Sequence, residues 1–209
     1  MATLVKICGV NDPASFDAAV DAGADWIGFV FFPPSPRWIA PAAAAGLSGR
    51  IVGGPGRVGL FVQPADDDVA AALAMVRLDA LQVYAPPDRI AALRTRFGRP
   101  VWHALGVGSA GDLPKSAGAA ERVVLEARPP ADATRPGGNA VSFDWSVLRG
   151  WRAPVPWTLA GGLNPTNVAE AIRATGASAV DVSSGVEQRS GIKDPALIRA
   201  FIAATRAAG

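Results

Sequence analysis

The segment Leu4-Val5-Lys6-Ile7-Cys8-Gly9-Val10 decides how the rest of this sequence is interpreted. Its β-branched and apolar residues are typical of a strand, and Gly9 ends that strand at a turn. Asp12-Pro13 then places a helix N-cap before a first-turn proline, and Gly23 closes the helix. The segment therefore predicts a strand that is followed at once by a helix.

The same strand, turn and helix pattern recurs along the chain. Strands are predicted at residues 3–8, 26–31, 57–62, 80–84, 101–105, 122–126, 157–160 and 179–182. Helices are predicted at residues 13–22, 41–49, 66–76, 87–97, 110–118, 144–149, 165–175 and 194–207. Repeated βα units in 209 residues predict an α/β fold, a single (β/α)8 TIM barrel domain over residues 1–209. An open doubly wound sheet is the alternative, but the first turn lacks a G-x-G-x-x-G fingerprint.

Composition excludes several classes of function. Lys and Arg number 20 against 18 Asp and Glu, without blocks of one sign, so no nucleic-acid or membrane surface is expected. One cysteine and one histidine exclude a disulfide framework and a zinc site. The first residues do not resemble a signal peptide, and no apolar run approaches the ~20 residues of a membrane span. We expect a cytoplasmic protein.

Glycine and serine follow the seventh and eighth predicted strands, as Gly161-Gly162 and Ser183-Ser184-Gly185. Glycines let backbone N–H groups approach an anion, and barrels commonly hold phosphate after these two strands. The alternative is a pair of ordinary strand-to-helix turns. Because the two turns are adjacent in a barrel, we favour a phosphate site.

Arg37 follows the stiff run Pro33-Pro34-Ser35-Pro36. Prolines restrict the loop, so a guanidinium held there could clamp a carboxylate bidentately. The alternative is a surface arginine on a stiff loop, and the residues alone favour that alternative.

Cys8 ends the first strand, where a free cysteine is most often a small buried apolar residue. Residues two apart in a strand share a face, so Lys6 points into the barrel beneath Cys8 and would favour its thiolate. A buried lysine needs a partner, and Asp181 on the neighbouring eighth strand is the candidate. Glu126 ends the sixth strand, and a thiolate base with a carboxylic acid in one pocket suits a proton-transfer isomerisation.

These residues stand in segments that together resemble the phosphoribosylanthranilate isomerases, a family of the tryptophan pathway. The segments follow the family's order over essentially the whole chain: Val5-Lys6-Ile7-Cys8-Gly9, Gly28-Phe29-Val30-Phe31-Phe32 with Ser35-Pro36-Arg37, Val58-Gly59-Leu60-Phe61-Val62, Gly137-Gly138, Phe143-Asp144-Trp145, Leu159-Ala160-Gly161-Gly162-Leu163 and Val180-Asp181-Val182-Ser183-Ser184-Gly185-Val186-Glu187.

The resemblance implies a cofactor-independent Amadori rearrangement of a small phosphorylated substrate. N-(5-phosphoribosyl)anthranilate would become 1-(2-carboxyphenylamino)-1-deoxyribulose 5-phosphate. Carried across, Cys8 is the general base, Glu126 is the general acid, and Arg37 holds the anthranilate carboxylate. The backbone around Gly161, Gly162, Ser183, Ser184 and Gly185 takes the phosphate, and the loop at Gly137-Gly138 helps to close over it. Family members are often monomeric, so a monomer is expected, with a dimer as the alternative.

Two positions depart from the family pattern. The acid on strand 6 is usually aspartate, whereas this chain has Glu126. The extra methylene matters because a displacement near 1 Å can cost roughly 100-fold in rate. Glu126 is therefore the preferred acid, with Asp132 in the long loop as the alternative. Strand 4 commonly ends in Gln-Leu-His-Gly but here ends in Gln82-Val83-Tyr84-Ala85, which argues against an essential imidazole there.

Two other functions compete with this interpretation. Metal-dependent pentose-phosphate epimerases share the barrel and the phosphate site, but a single histidine is a poor basis for their metal ligands. A phosphate-binding barrel without catalysis, kept as a regulatory scaffold, would be consistent with the change at Glu126.

Overall fold

A computed structural model describes residues 2–129, 136–138 and 142–209. Its main feature is a closed barrel of eight parallel strands, in which each strand pairs with the next and β8 pairs with β1. This confirms the predicted (β/α)8 barrel. The strands are β1 Leu4–Cys8, β2 Trp26–Val30, β3 Gly56–Val62, β4 Ala80–Tyr84, β5 Val101–Val107, β6 Arg122–Ala127, β7 Trp157–Leu159 and β8 Ala179–Val182.

Helices cover the outside of the barrel. They are α1 Pro13–Asp21, α2 Pro41–Ser48, α3 Asp66–Met75, α4 Pro87–Phe97, α5 Val168–Thr175 and α6 Pro195–Ala208. In the described part of the chain, no helix combines the length and apolarity needed to cross a membrane.

The helices predicted after β5 and β6 are reduced to short 3-10 turns. These turns span Ala110–Asp112 and Trp145–Leu148. The first prediction was wrong because the segment 110–118 contains Gly111, Pro114 and Gly118, which weaken or interrupt a helix. The sequence also gave no signal for the small hairpin formed by β9 Glu187–Arg189 and β10 Ile192–Lys193.

Aspartate side chains cap the beginnings of α1 and α6. Asp12 Oδ1 accepts a hydrogen bond from the Ser15 amide at 2.9 Å, which starts α1 as predicted. The helix predicted from residue 165 begins only at Val168. Asn164 Oδ1 accepts a hydrogen bond from the Thr166 amide at 2.8 Å, so this asparagine forms a turn ahead of the helix instead of capping it.

The alternation of side chains along the strands produces two separate cores. In β1, Val5 and Ile7 belong to the large core between the barrel and its helices, whereas Cys8 packs inside the barrel. At the amino-terminal end of the barrel, the guanidinium carbon of Arg122 lies 4.9 Å from the ring centre of Trp26 and 5.1 Å from that of Trp102. These side chains fill that end, and the opposite end carries the cavity described next.

Candidate active site

A cavity lies at the carboxyl ends of the barrel strands. Its lining contains all of the predicted site residues except Lys6 and Gly185. The residues that line it from the predicted set are Cys8, Arg37, Glu126, Gly137, Gly138, Gly161, Gly162, Asp181, Ser183 and Ser184.

Lys6 and Asp181 form a buried ion pair beneath Cys8, as the sequence predicted. The two residues are register partners across β1 and β8, and Lys6 Nζ donates a hydrogen bond to Asp181 Oδ2 at 2.9 Å. Gly28 faces Cys8 across β1 and β2, and a Cβ at Gly28 would lie 3.0 Å from Cys8 Sγ and 3.2 Å from Lys6 Cε. The absence of a side chain at Gly28 therefore leaves room for the thiol and the ammonium group inside the barrel.

The pKa of Cys8 is raised from its ordinary value. Burial raises it most, because the charged thiolate loses water, while the positive charge and hydrogen bond of Lys6 lower it. The predicted effect of Lys6 on the thiolate thus has the expected sign, but burial outweighs it. For Lys6 itself, burial lowers the pKa, yet the charges of Asp181 and Cys8 bring the net pKa above the ordinary value. The lysine therefore remains an ammonium group.

Glu126 is buried at the end of β6, and two donors hold its carboxyl group. Oε1 accepts a hydrogen bond from Tyr84 Oη at 2.5 Å, and Oε2 accepts one from the Gly138 amide at 3.3 Å. The two residues that depart from the family pattern, Tyr84 and Glu126, are therefore in direct contact. Burial raises the pKa of Glu126, and the hydrogen bond from Tyr84 works in the opposite direction.

The segment 136–138 lies directly over this carboxyl group. A side chain at Gly137 would collide with Glu126 and with the Tyr84 hydroxyl, and one at Gly138 would collide with the Arg37 guanidinium. Gly138 also has a positive φ of 69°. The two glycines thus allow the backbone to reach both groups. Asp132, the alternative acid, lies outside the described residues.

Arg37 is buried against a carboxylate of this chain. Its Nε donates a hydrogen bond to Glu187 Oε1 at 2.6 Å, and its Nη2 donates one to Glu187 Oε2 at 2.9 Å. The alternative of a surface arginine is wrong, because only 4% of the side chain is exposed. Glu187 occupies the edge of the guanidinium formed by Nε and Nη2, so the predicted contact with a substrate carboxylate stays a prediction for the side that carries Nη1. Nη1, beside Gly138, lies on the other side of the group.

Lys193 completes this network and was missed by the sequence analysis. Its Nζ donates hydrogen bonds to Glu187 Oε1 and to the Ser183 carbonyl oxygen, both at 2.8 Å. Glu187 stood in one of the quoted segments without a role, and no sequence signal marked Lys193. The hairpin of β9 and β10, which carries both residues, is what joins Arg37 to the turn at Ser183.

The turns that follow β7 and β8 form part of the cavity wall, through Gly161 and Gly162 in the first turn and Ser183 and Ser184 in the second. Gly161 and Gly162 have φ values of 83° and 65°, which expose their backbone at the cavity wall. Ser183 Oγ donates a hydrogen bond to the Cys8 carbonyl oxygen at 3.1 Å and so ties this turn to β1. Gly185 does not line the cavity, and its missing side chain allows close contact with the Leu163 carbonyl oxygen.

Comparison with known proteins identifies the family. The model of the family described as N-(5'-phosphoribosyl)anthranilate (PRA) isomerase matches residues 5–204. The chain belongs to this family. The PRA isomerase resemblance noted in the sequence segments is therefore confirmed, and it extends over nearly the whole chain.

Individual PRA isomerases agree with that assignment. The enzyme of Acidiphilium cryptum is 53% identical over 205 residues, covering 97% of this chain and 98% of that protein. The enzyme of Rhodospirillum rubrum is 54% identical over 213 residues, covering 98% of both. A crystal structure of monomers generated from the dimeric isomerase of Thermotoga maritima is 33% identical, with a TM-score of 0.83 and coverage of 98% of this chain and 99% of that one.

One solved PRA isomerase contains a compound related to the reaction. It is the complex with reduced 1-(o-carboxyphenylamino)-1-deoxyribulose 5-phosphate, 32% identical to this chain, with a TM-score of 0.83 and coverage of 98% of this chain and 99% of that one.

Within the described residues, no group of three or more His, Cys, Asp or Glu side chains is placed to hold a metal ion.

Proposed function

We propose that Cys8 is the base and Glu126 the acid of the reaction that this chain catalyses. That reaction is the rearrangement of N-(5-phosphoribosyl)anthranilate to 1-(2-carboxyphenylamino)-1-deoxyribulose 5-phosphate in tryptophan biosynthesis. The observation that carries the proposal is the placement of a thiol and a buried carboxyl group, from β1 and β6, on the wall of one cavity. An isomerisation by proton transfer needs these two functions.

Glu126 acts first, as an acid. Its raised pKa, caused by burial, increases the fraction of molecules that hold a proton near neutrality. That proton passes to the furanose ring oxygen, and the bond between this oxygen and C1 breaks. The nitrogen lone pair of the anthranilate forms a C=N bond to C1, which gives the open-chain Schiff base.

Cys8 acts second, as a base. Its thiolate removes the proton from C2, and the electron pair of that C–H bond moves into the C=N system to give an enolamine. The enolamine becomes the ketone when the C2 hydroxyl loses its proton and C1 gains one. Lys6 supports the thiolate because its ammonium group lowers the pKa that burial has raised.

Two anion sites on the cavity wall orient the substrate. The turns at Gly161-Gly162 and Ser183-Ser184 offer backbone N–H groups and the Ser184 hydroxyl to the phosphate. The Nη1 side of Arg37, held in place by Glu187, is available for the anthranilate carboxylate. Anchoring both ends of the substrate places C2 and the ring oxygen between the thiol and the carboxyl group.

The test is the variant Cys8→Ser. We expect kcat to fall by about 100-fold or more, because a serine hydroxyl is a far weaker base than a thiolate. Product binding, followed by fluorescence titration, should stay close to that of the unmodified protein. The wild-type chain should also restore growth of a tryptophan auxotroph that lacks this isomerase, and the variant should not. Wild-type turnover by Cys8→Ser would overturn the assignment of the base.

We also propose that the chain acts as a single-domain monomer in the cytoplasm, on a small phosphorylated substrate. A closed barrel has no free sheet edge that needs a partner. The large apolar side chains exposed in the described residues are Trp38, Val52, Met75 and Ile192. Light scattering after size exclusion should give a mass near 21.4 kDa. A mass of twice that value would support the dimer, the state named for the Thermotoga maritima relative.

A further inference from the structure

Tyr84 is the side chain that touches the proposed acid. It stands at the end of β4, lines the cavity, and donates a hydrogen bond to Glu126 Oε1 at 2.5 Å. The chain contains one tyrosine and one cysteine, so each can be observed separately from the rest of the protein.

We propose that Tyr84 is a positioning residue for the acid step. It aims the Glu126 carboxyl group at the substrate and stabilises the carboxylate that forms when the proton has left for the ring oxygen. The proposal rests on the function proposed above, in which Glu126 is the acid.

The geometry supports the aiming role. A glutamate side chain is flexible, and the contacts from Tyr84 Oη and the Gly138 amide hold its two oxygens separately. Each carboxyl oxygen has two lone pairs, so either can accept one hydrogen bond and still carry the acidic proton. The tyrosine ring packs with Cys8, Val30 and Leu60 inside the barrel, which fixes the position of its hydroxyl.

The surrounding charges support the stabilising role. Lys6 and Asp181 act on Glu126 with opposite signs, and Cys8 lies near Tyr84. Among the described side chains, Tyr84 is the only hydrogen-bond donor that contacts the Glu126 carboxyl group. Burial keeps the pKa of Tyr84 well above its ordinary value, and the negative charge of Glu126 adds to this effect. The phenol therefore remains a donor, and a hydrogen bond to a carboxylate is worth more than one to a neutral acid.

The central experiment compares Tyr84→Phe with the wild-type protein. We expect kcat to fall by about 10- to 100-fold with little change in KM, the loss typical of a hydrogen bond to a charged group. Cys8 alkylation rates measured against pH give the thiol pKa on its own, and the second pKa of the substrate phosphate, about 6, is the same for both enzymes. The inflection in the kcat/KM profile that belongs to neither group is assigned to Glu126. That inflection should move to higher pH in Tyr84→Phe, while the Cys8 value stays in place.

Phe32→Leu is the matched control. Phe32 lines the same cavity and packs against the same cluster of Cys8, Val30 and Leu60 as Tyr84, but it has no hydroxyl group. This variant should leave the Glu126 inflection where it is in the wild type. An equal displacement of the inflection in both variants would overturn the proposal, because it would show a general effect of altered packing.

A direct measurement uses the single tyrosine. In protein labelled with ¹³C at tyrosine Cζ, the one resonance should shift as Glu126 titrates, and the shift should disappear in Glu126→Gln. Tyr84→Phe and Glu126→Asp should also be non-additive, the double variant being little slower than the slower single variant. Fully additive losses, or an unchanged kcat in Tyr84→Phe, would overturn the role of Tyr84.

The failure of the two proposals can be distinguished. If Glu126→Gln retained the wild-type kcat, the acid assignment itself would be wrong. If Glu126→Gln were inactive while Tyr84→Phe kept both kcat and the Glu126 inflection, the acid assignment would stand and the role of Tyr84 would be overturned.

Discussion

Lys6 illustrates how strongly one buried side chain depends on its neighbour. The residue is completely buried, and its ammonium group is bonded to Asp181 Oδ2. Within the described residues, Asp181 Oδ1 has no hydrogen-bond partner. Lys6 thus provides the hydrogen bond on which the buried Asp181 carboxylate depends. Removing one member of such a pair costs far more than the pair contributes, because a buried charge is left behind.

The variant Lys6→Met should therefore be strongly destabilised, by about 3–5 kcal/mol in the free energy of unfolding. Urea denaturation followed by circular dichroism measures this loss. The matched control is Arg50→Met, which breaks the exposed ion pair of Arg50 with Asp17 and should leave the midpoint nearly unchanged. If the two variants had equal urea midpoints, the buried ion pair of Lys6 would contribute no more to stability than the exposed pair of Arg50.

At the scale of elements, two short segments that are not part of the eight-fold repeat complete the site. The hairpin of β9 and β10 places Glu187 against Arg37 and Lys193 against Glu187. The segment 136–138 places the Gly138 amide on Glu126. The repeated βα units therefore supply Cys8 and Glu126, the proposed base and acid, and these additional segments hold the side chains of Arg37 and Glu126.

Gly137→Ala tests the contribution of the segment 136–138. The added methyl group would collide with Glu126 and the Tyr84 hydroxyl, so either the segment or the carboxyl group must move. We expect kcat/KM to fall by about 10-fold or more, with little loss of stability, because a small displacement of an acid has a large effect on rate.

The control for this change is Gly46→Ala in α2. A Cβ at Gly46 meets no atom within 4 Å, and alanine favours a helix interior over glycine by roughly 1 kcal/mol. This variant should keep full activity and unfold at a slightly higher temperature. Normal kinetics in Gly137→Ala would show that the segment is not needed in its described position.

At the scale of the whole molecule, the barrel mouth combines carboxyl groups of opposite behaviour. Burial raises the pKa values of Glu126 and Asp181. Burial also acts to raise the pKa of Glu187, but the hydrogen bond from Arg37 and the charge of Lys193 bring it below the ordinary value. Glu187 therefore stabilises the folded protein when it is a carboxylate, whereas Glu126 stabilises it when it is a neutral acid.

The raised pKa of Glu126 determines how this residue changes the free energy of unfolding with pH. A raised pKa means that the folded state binds the proton more tightly, so the stabilisation is present below the ordinary value of 4.5 and is lost as pH rises through the raised pKa. Glu126→Gln should thus be more stable than the wild type at pH 8, by on the order of 1 kcal/mol, and inactive. The difference should shrink towards pH 4, as measured by thermal unfolding across this range.

Glu187→Gln is the control of opposite sign. Its lowered pKa means that the stabilisation is present above 4.5 and is lost as pH falls through the folded-state pKa. This variant should be less stable than the wild type at pH 8 and should approach it in acid. If both variants changed stability in the same direction at pH 8, the assignment of the two carboxyl groups would be wrong.

The sequence by itself determined the barrel, its strand order and the face on which Cys8, Lys6 and Asp181 meet. Periodicity, turn residues and helix caps are local signals, and a closed barrel turns them into positions in space. The site residues that it predicted also line the cavity, except Lys6 and Gly185, because strand ends converge at one edge.

Apart from the pairing of Lys6 with Asp181, only the tertiary structure decided the partners of the site residues. A hairpin that no periodic pattern marks brings Glu187 to Arg37 and Lys193 to Glu187, and Tyr84 meets Glu126 across β5. The net pKa of Cys8 likewise depends on how far burial outweighs the charge of Lys6. Such contacts join residues far apart in sequence, and their energies depend on distance and on the exclusion of water, neither of which local sequence specifies.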